Sequence, residues 1–324
     1  MTNTVQTPPS LGVSIRRLED RDLAAADRIF RLAFGTFLGV PDPASFGGDM
    51  DFVAARWRTN PDNTLAAELN GELVGSNFVT SWGTAGFFGP LTIRPDLWDR
   101  GIATRLMEPT LDLFARSGVR HAGLFTFPHS TKHIHLYQKF GFWPRLLTPL
   151  LVKPVSAEPG TPPVTLFSQL AAGEQAEALD ACRALTNSIY DGLDVSSEIR
   201  AVQREQVGDT LLIWDGSRLA SFAVCHCGAG SEAGSGACYV KFGAARPGAS
   251  TADAFQALLD ACAALAAARG AGVVLGGINT GREHAYRAML ASGFRFGPLV
   301  GVKMHRPNEP GYDRPDVFVI DDWR

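Results

Sequence analysis

The hydrophobic positions of the chain change from strand-like to helix-like spacing several times, and the clearest change lies within residues 89–114. A short apolar run at residues 91–93 predicts a strand, which Pro95 ends because proline has no backbone N–H for a ladder. After a loop of small residues, apolar side chains recur at three- and four-residue spacing, which predicts an amphipathic helix. They are Ile102, Leu106, Met107, Leu111 and Phe114.

The residues before this stretch predict a strand at 14–16, a helix that begins near 20–22 and a second helix at 51–58. A hairpin is expected around Asn70-Gly71, because this pair favours the tight turns that join antiparallel strands. Residues 33–51 are rich in Gly, Pro, Asp and Phe, which predicts an irregular loop.

The order of elements then continues in a second half. Residues 121–142 predict a strand, a loop and a helix that ends at Gly141. Residues 153–163 contain four prolines and predict a linker. Beyond it, strands are expected at 210–214 and 219–227, followed by a flexible Gly/Ser loop at 228–236 and a strand at 239–245.

The second half has the sequence pattern of a divergent copy of the first. Its strand also ends in Arg-Pro, at Arg246-Pro247, and a long helix follows. Counting from these prolines places Asp253 and Phe255 where Gly101 and Ala103 stand in the first half. We therefore expect two domains, at 12–152 and 164–306, the linker at 153–163, and a C-terminal tail at 307–324 that packs on the body.

Length and composition limit the function classes. The chain of 324 residues suits two domains, and its 45% hydrophobic content is sufficient for two cores. A net charge of -3 without a dense basic run argues against a nucleic-acid partner. No stretch has the length and composition of a spanning helix and residues 1–10 are polar, so we expect no membrane partner and a cytoplasmic protein. The five cysteines fit a reducing compartment.

The loop before the helix at residues 102–114 has the properties of an anion site. The first N–H groups of a helix lack internal partners and carry partial positive charge, so a pyrophosphate is favoured at residues 100–104. Arg94, Arg100 and Arg105 add positive charge nearby. The same small residues are also typical of ordinary strand-to-helix packing, so both interpretations stay open on this motif alone.

A second motif at residues 130–142 gives the chain its resemblance to a known family. Together the two motifs resemble the signatures of the GNAT N-acetyltransferase superfamily, an R/Q-x-x-G-x-G/A loop and an N-x-x-A-x-x-L-Y-x-x-x-G-F helix. The matching residues are Gly101, Ala103, Leu136, Tyr137, Gly141 and Phe142. The resemblance implies an α/β fold of two tandem GNAT-like domains, each a twisted, mostly antiparallel sheet with a splayed central strand pair flanked by helices. Only the first half carries the motifs.

The sequence departs from the family pattern at four positions. Trp98 stands where the family has Arg or Gln, and Asp99 where it often has Gly; Ser130 and His133 replace the usual Asn and Ala. A carboxylate at Asp99 would repel a pyrophosphate unless it turns away, so we expect it to cap the helix.

The resemblance implies acetyl-CoA as co-substrate and assigns site residues. Tyr137 is the general acid, with a structural role in the core as its alternative. The coenzyme contacts are Leu91, Thr92, Ile93, Trp98, Asp99, Arg100, Gly101, Ile102, Ala103, Thr104, Ser130 and His133. For the base, Glu68 and a water chain to solvent are both retained. We expect no metal, because His133 and His135 point about 200° apart on a helix.

The implied function is acetyl-CoA-dependent N-acetyl transfer to the amine of a small molecule or peptide. The alternative is a non-catalytic acetyl-CoA-binding or ligand-sensing module. Residues 33–51 are the candidate for acceptor contact, with a loop folded over the core as the competing interpretation. In the second half Met289 stands in the place of Tyr137, so structural support or acceptor binding is expected there. The sequence leaves the acceptor, the acyl length and the oligomeric state open.

Overall fold

The computed structural model of the chain describes residues 12–155 and 163–321, called here the first half and the second half. Apolar and alternating segments form fourteen strands in these residues. They are β1 (Val13–Arg17), β2 (Thr64–Leu69), β3 (Glu72–Trp82), β4 (Ala85–Phe88), β5 (Thr92–Ile93), β6 (His121–Thr126), β7 (Trp143–Pro154), β8 (Thr165–Leu166), β9 (Gly208–Asp215), β10 (Arg218–Gly228), β11 (Gly234–Ala245), β12 (Val273–Gly277), β13 (Arg295–Arg306) and β14 (Val319–Ile320).

Amphipathic segments form eight α-helices in the described residues, and these cover the sheet. They are α1 (Leu23–Phe37), α2 (Val53–Thr59), α3 (Ile102–Arg116), α4 (Thr131–Gln138), α5 (Ala172–Ile189), α6 (Ser196–Glu205), α7 (Thr251–Ala268) and α8 (Glu283–Ala291). Among the described helices, α7 alone is long and apolar enough for a bilayer, by length and composition only, and it buries residues such as Phe255 and Leu258 in the protein core.

All the strands belong to one mixed sheet, and each half contributes one long strand, β7 or β13, to the other half's part of it. The order is β1-β2-β3-β4-β6-β13-β7-β12-β11-β10-β9-β8, with β5 on β3 and β14 on β11. Thus β13, from the second half, pairs with β6, and β7, from the first half, pairs with β12. The two strands also pair with each other. A cut between the halves would therefore remove one strand from each part of the sheet.

The two central strands of the first half separate and open the sheet. Parallel pairing between β4 and β6 ends at Phe87 and Gly123. Val79 pairs with Phe88, but Ser76 pairs with Thr92, so one extra residue forms a bulge between β4 and β5. Beyond the last pair, β6 continues to Thr126 while β5 turns along β3. The gap between them is called here the splay.

In the second half the corresponding gap is filled by the chain itself. Parallel pairing between β11 and β12 ends at Val240 and Gly276, and β14 then pairs with Gly243 and Ala244 on the same edge of β11. The amide of Ala245 donates to the carbonyl oxygen of Phe318 at 3.0 Å. The second splay is therefore occupied by the C-terminal tail. Residues 322–324 of that tail, and 156–162 of the expected linker, lie outside the described residues.

The predicted mixed α/β fold, with a large sheet flanked by helices, is confirmed. The hairpin at Asn70-Gly71 is confirmed as well, and both residues have positive φ. The expected loop at 33–51 is wrong at its start, because α1 continues to Phe37 and a 3₁₀ turn forms at Pro43–Ser45. The loop at 228–236 is not free: Gly230 N donates to Asp49 O at 3.0 Å, and β11 already begins at Gly234.

Candidate active site

A cavity of about 640 Å³ opens at the splay and runs to the N-terminus of α3. Its walls come from the β4–β5 bulge, the end of β6, α1, α3 and α4. The second half also lines it, through Glu232, Tyr239, Leu275 and Leu299. The cavity volume lies in the range typical of small-molecule sites.

One end of the cavity is the N-terminus of α3. Gly101 caps this helix with φ of 77°, a left-handed conformation that favours glycine. The amide of Arg105 donates to the Gly101 carbonyl at 3.4 Å, so the amides of Ile102, Ala103 and Thr104 precede the first hydrogen bond of the helix. A Cβ built on Gly101 would have no atom within 4 Å. The backbone here is open to an anion.

The expectation that Asp99 caps α3 is wrong. Its own φ is 62°, and α3 has no side-chain cap. Its exposed carboxylate instead accepts from Lys132 Nζ at 3.3 Å. The same ammonium lies 4.9 Å from the centre of the Trp98 ring, whose Nε1 donates to Ile93 O at 2.8 Å. Lys132 therefore offsets the negative charge that Asp99 brings to this end of the cavity.

Most of the predicted coenzyme residues line the cavity, and two do not. Arg100 is exposed and is not part of the wall. Ser130 is buried with no hydrogen-bond partner for its hydroxyl, and it also lies outside the wall. The residues that do line it are Leu91, Thr92, Ile93, Trp98, Asp99, Gly101, Ile102, Ala103, Thr104 and His133.

Tyr137 lies on α4 and is part of the cavity wall. Its ring packs edge-on against Phe88 with centroids 5.6 Å apart. Burial raises the pKa of its phenol above the ordinary value, because the apolar surroundings disfavour the phenolate. The hydroxyl is therefore protonated at neutral pH.

His133, one turn before Tyr137, is part of the same wall. Its ring lies 5.2 Å from the ring of Phe37. Burial, with the charge of Lys132 as a further cause, lowers the pKa of this histidine below its ordinary value, which keeps the imidazole neutral at pH 7. It contributes an uncharged surface to the groove.

Glu68 is corrected as a candidate base. The residue lies on β2, and its carboxylate accepts from Arg16 Nε at 2.8 Å. Arg16 also donates to Asp22 at 2.6 Å, so the three side chains form one ion-pair group at the sheet edge. Glu68 is not part of the cavity wall. The charge of Glu68 is therefore paired with Arg16, away from the splay.

Sequence reasoning missed a buried ion-pair network at the floor of the cavity, called here the floor network. Arg56 donates from Nε and Nη2 to the two carboxylate oxygens of Glu232, at 3.3 and 3.1 Å. Lys241 donates to the same carboxylate. Arg56 Nη1 donates to the carbonyl of Gly89, on the bulge, at 2.5 Å. Arg56 thus connects Glu232 of the second half to the bulge.

The floor network keeps its carboxylate ionised. Burial alone would oppose ionisation, but the charges of Arg56 and Lys241 outweigh it and lower the pKa of Glu232. His226 next to it has its pKa lowered to about 4 by burial, so it is neutral at pH 7. No motif predicted this pairing, because Arg56 and Glu232 are 176 positions apart.

A second polar cluster lies below the junction of β6 and β13. His121, His305 and Asp313 have ligand atoms within 4.8 Å of one another. Asp313, however, already accepts from Lys303 at 2.9 Å and from Arg282 at 2.7 Å. Two buried cations at this distance oppose a third positive charge, so the cluster is treated as structural.

Known proteins resemble the chain in sequence and in fold. Residues 28–142 match the acetyltransferase (GNAT) family. A candidate acetyltransferase from Pyrococcus horikoshii superposes with a TM-score of 0.67 at 15% identity, over 98% of this chain and 96% of that one. A GCN5-related N-acetyltransferase from Sphaerobacter thermophilus superposes with a TM-score of 0.57 at 13% identity, over 92% of this chain and 96% of that one.

A third structure, a GCN5-related N-acetyltransferase from Anabaena variabilis, gives a TM-score of 0.53 at 12% identity, over 91% of this chain and 72% of that one. At these identities the three structures show a shared fold. No curated protein sequence matches the chain.

Proposed function

Since residues 28–142 carry an acetyltransferase (GNAT) family domain, we propose that the chain is an acetyl-CoA-dependent N-acetyltransferase that transfers the acetyl group directly to an amine. The observation that carries the proposal is the cavity itself. It joins an uncovered helix N-terminus, the free edge of a bulged strand and a protonated phenol in one continuous space.

The residues at the first end fit a diphosphate. The amides of Ile102, Ala103 and Thr104 precede the hydrogen-bonded part of α3, and the helix dipole adds partial positive charge there. The open space beside Gly101 leaves the backbone accessible. Lys132 balances Asp99 so that the carboxylate does not repel the ligand.

The bulged strand fits the arm that carries the thioester. Leu91, Thr92 and Ile93 line the cavity, and β6 has already diverged from this edge. Backbone N–H groups at the edge are able to donate to a carbonyl oxygen as it gains negative charge. Arg56 fixes the bulge by donating to Gly89 O.

Tyr137 would protonate the departing sulfur. A thiol with a pKa near 8.5 leaves as a thiolate, and apolar walls raise the basicity of the thiolate as they raise the pKa of the phenol. We assign no base, because Glu232, the carboxylate on the floor, is held by two cations. An alkylammonium would lose its proton to water before transfer, and the proton that the nitrogen gives up after attack would return through water to the phenolate of Tyr137.

The test is thiol release from acetyl-CoA with a panel of amines, run beside a direct measurement of coenzyme binding by calorimetry. We expect release that depends on both protein and amine. Coenzyme binding without release on any acceptor would contradict the proposal and favour the non-catalytic binding module.

A further inference from the structure

One part of the cavity wall consists mainly of phenylalanine side chains. This part, called here the phenylalanine chamber, is formed by α1 and the segment after it: Phe30, Phe34, Phe37, Phe46, Phe52 and Met50. Four of the five rings are half-buried, Phe30 is buried, and all five belong to the cavity wall.

The rings of the phenylalanine chamber hold one another in place. Phe34 stacks on Phe46 with centroids 5.7 Å apart, and Phe30 lies 5.0 Å from Phe34 and 5.3 Å from Phe52. Arg31 bonds to the carbonyls of Phe46, Gly48 and Met50, each at 2.8 Å, and ties the segment to α1. The chamber is therefore a built surface of aromatic faces and edges.

Cations outnumber carboxylates in the cavity wall, to which Arg56, Lys132 and Lys139 all contribute. Glu232 and Asp99 are the carboxylates in the wall among the described residues. Asp99 pairs with Lys132, and Glu232 is held by Arg56 and Lys241. A polycation would find no free negative charge here, and burying its extra charges would cost affinity. A single amine on an apolar body avoids that cost.

We propose that the acceptor is a compact monoamine with an aromatic body, and that the phenylalanine chamber is its binding site. This inference rests on the proposed N-acetyl transfer. About 640 Å³ has to hold both the thioester arm and the acceptor, which favours a small molecule over a peptide. An aromatic ring gains more binding free energy here than an aliphatic chain of similar area, because contacts between rings are attractive beyond the effect of burying apolar surface.

The test compares three probes on the coenzyme-loaded protein: 2-phenylethylamine, spermidine and a lysine-containing peptide. Binding is measured by calorimetry and turnover by thiol release. We expect the affinity and the turnover of 2-phenylethylamine to exceed those of spermidine and of the peptide about 10- to 100-fold, the range for placing one ring in an apolar pocket.

A chamber variant with a matched control tests the site. Phe34→Ala should lower kcat/KM for 2-phenylethylamine about tenfold and leave the KM for acetyl-CoA unchanged. Phe296→Ala removes an exposed ring outside the cavity and should change neither value. If Phe34→Ala fails to fold, Phe46→Leu serves as the smaller change and should lower the same constant.

The two readouts separate this inference from the proposed function. Binding of 2-phenylethylamine no tighter than that of spermidine or the peptide overturns the inference, whatever the turnover. Tighter binding that Phe34→Ala or Phe46→Leu weakens, without thiol release from any probe, supports the chamber and contradicts the transfer reaction.

Discussion

At the scale of single residues, the hydroxyl of Tyr137 is the group whose removal tests the chemistry most directly. Tyr137→Phe keeps the ring that packs on Phe88 and removes only the acid. We expect kcat to fall by about 10²-fold or more, because general acid catalysis is typically of that size, with little change in coenzyme binding. Steady-state kinetics check this, and Tyr286→Phe, a half-buried tyrosine outside the cavity, is the control. Full activity in Tyr137→Phe would leave the residue with a structural role.

Gly101 gives a second test, of the coenzyme end. Gly101→Ala adds a methyl group in open space, so its effect comes from φ of 77°, where a side chain costs about 1 kcal/mol. We expect the KM for acetyl-CoA to rise severalfold, because the strained turn would shift the amides of α3. Gly118→Ala has the same open surroundings and φ of 71° but lies at the other end of α3. An equal rise in KM in both variants would contradict an anion site at Gly101.

The residue scale also shows how far sequence reasoning reached. Gly101, Ala103 and Tyr137 could be placed in the cavity because short motifs set their spacing within one strand-loop-helix unit. The partner of Asp99 could not be predicted, because Lys132 lies on another helix and a residue before a helix usually serves as its cap. Local patterns predict local geometry, and the choice between a cap and a cross-helix ion pair is not local.

At the scale of elements, the loop between β10 and β11 connects the second half to the bulge. Glu232→Gln should lower stability by roughly 3 kcal/mol, because it leaves Arg56 and Lys241 without their buried counter-charge. We expect kcat to fall about tenfold as well, since Arg56 holds Gly89 O. Urea unfolding and kinetics measure the two effects. Glu283→Gln breaks an exposed pair with Arg287 and should change stability by well under 1 kcal/mol.

The same loop marks the limit of prediction for elements. Short apolar runs predicted β9, β10 and most of β11, with the turn at Asp215-Gly216 between the first two. The Gly/Ser composition of the loop indicated flexibility. Glu232 is nonetheless buried, because Arg56, far away in the chain, pairs with its carboxylate, and Asp49 accepts a hydrogen bond from Gly230 of the same loop. Composition indicates how flexible a segment is in isolation, but contacts with distant residues determine whether it is ordered in the folded protein.

At the scale of the whole molecule, buried neutral histidines make stability depend on pH. Burial, with the charge of Lys303, lowers the pKa of His121 to about 3. In the unfolded chain this histidine has a pKa near 6.5. Between about pH 3 and 6.5 the unfolded state therefore binds a proton that the folded state does not bind, and the free energy of unfolding decreases as the pH falls below 6.5. From pH 7 to pH 5 we expect this histidine to remove about 2 kcal/mol.

Urea unfolding at both pH values measures that loss. His121→Gln should lose about 2 kcal/mol less than the parent protein over the same interval. His135→Gln, which replaces an exposed histidine, should follow the parent. The same slope in all three proteins would contradict a buried, neutral His121.

The exchange of β7 and β13 could not be predicted from sequence. Each strand has an apolar pattern that suits either neighbour, because side-chain alternation specifies a face of the sheet and leaves the partner open. The motifs placed the two halves in order along the chain, and pairing between residues far apart then joined them in one sheet. In this arrangement β13 lies beside β6, on the side away from the splay, and the cavity includes side chains such as Leu299 from the second half.

The tail that fills the second splay is a structural requirement of the whole molecule, and one ion pair in it tests this. Asp321 accepts from Arg282 Nη1 at 2.5 Å and from the Tyr312 hydroxyl at 2.5 Å, and all three are fully buried. Asp321→Asn leaves the arginine charge less compensated, so we expect a loss of roughly 3 kcal/mol and a fall in Tm of about 6–12 °C. Asp316→Asn removes an exposed carboxylate from the same tail and should change Tm by about 1 °C. Equal Tm values for the two variants would mean that the tail does not hold the second half together. Coenzyme affinity in the folded fraction should be the same in both variants, because the first splay lies elsewhere.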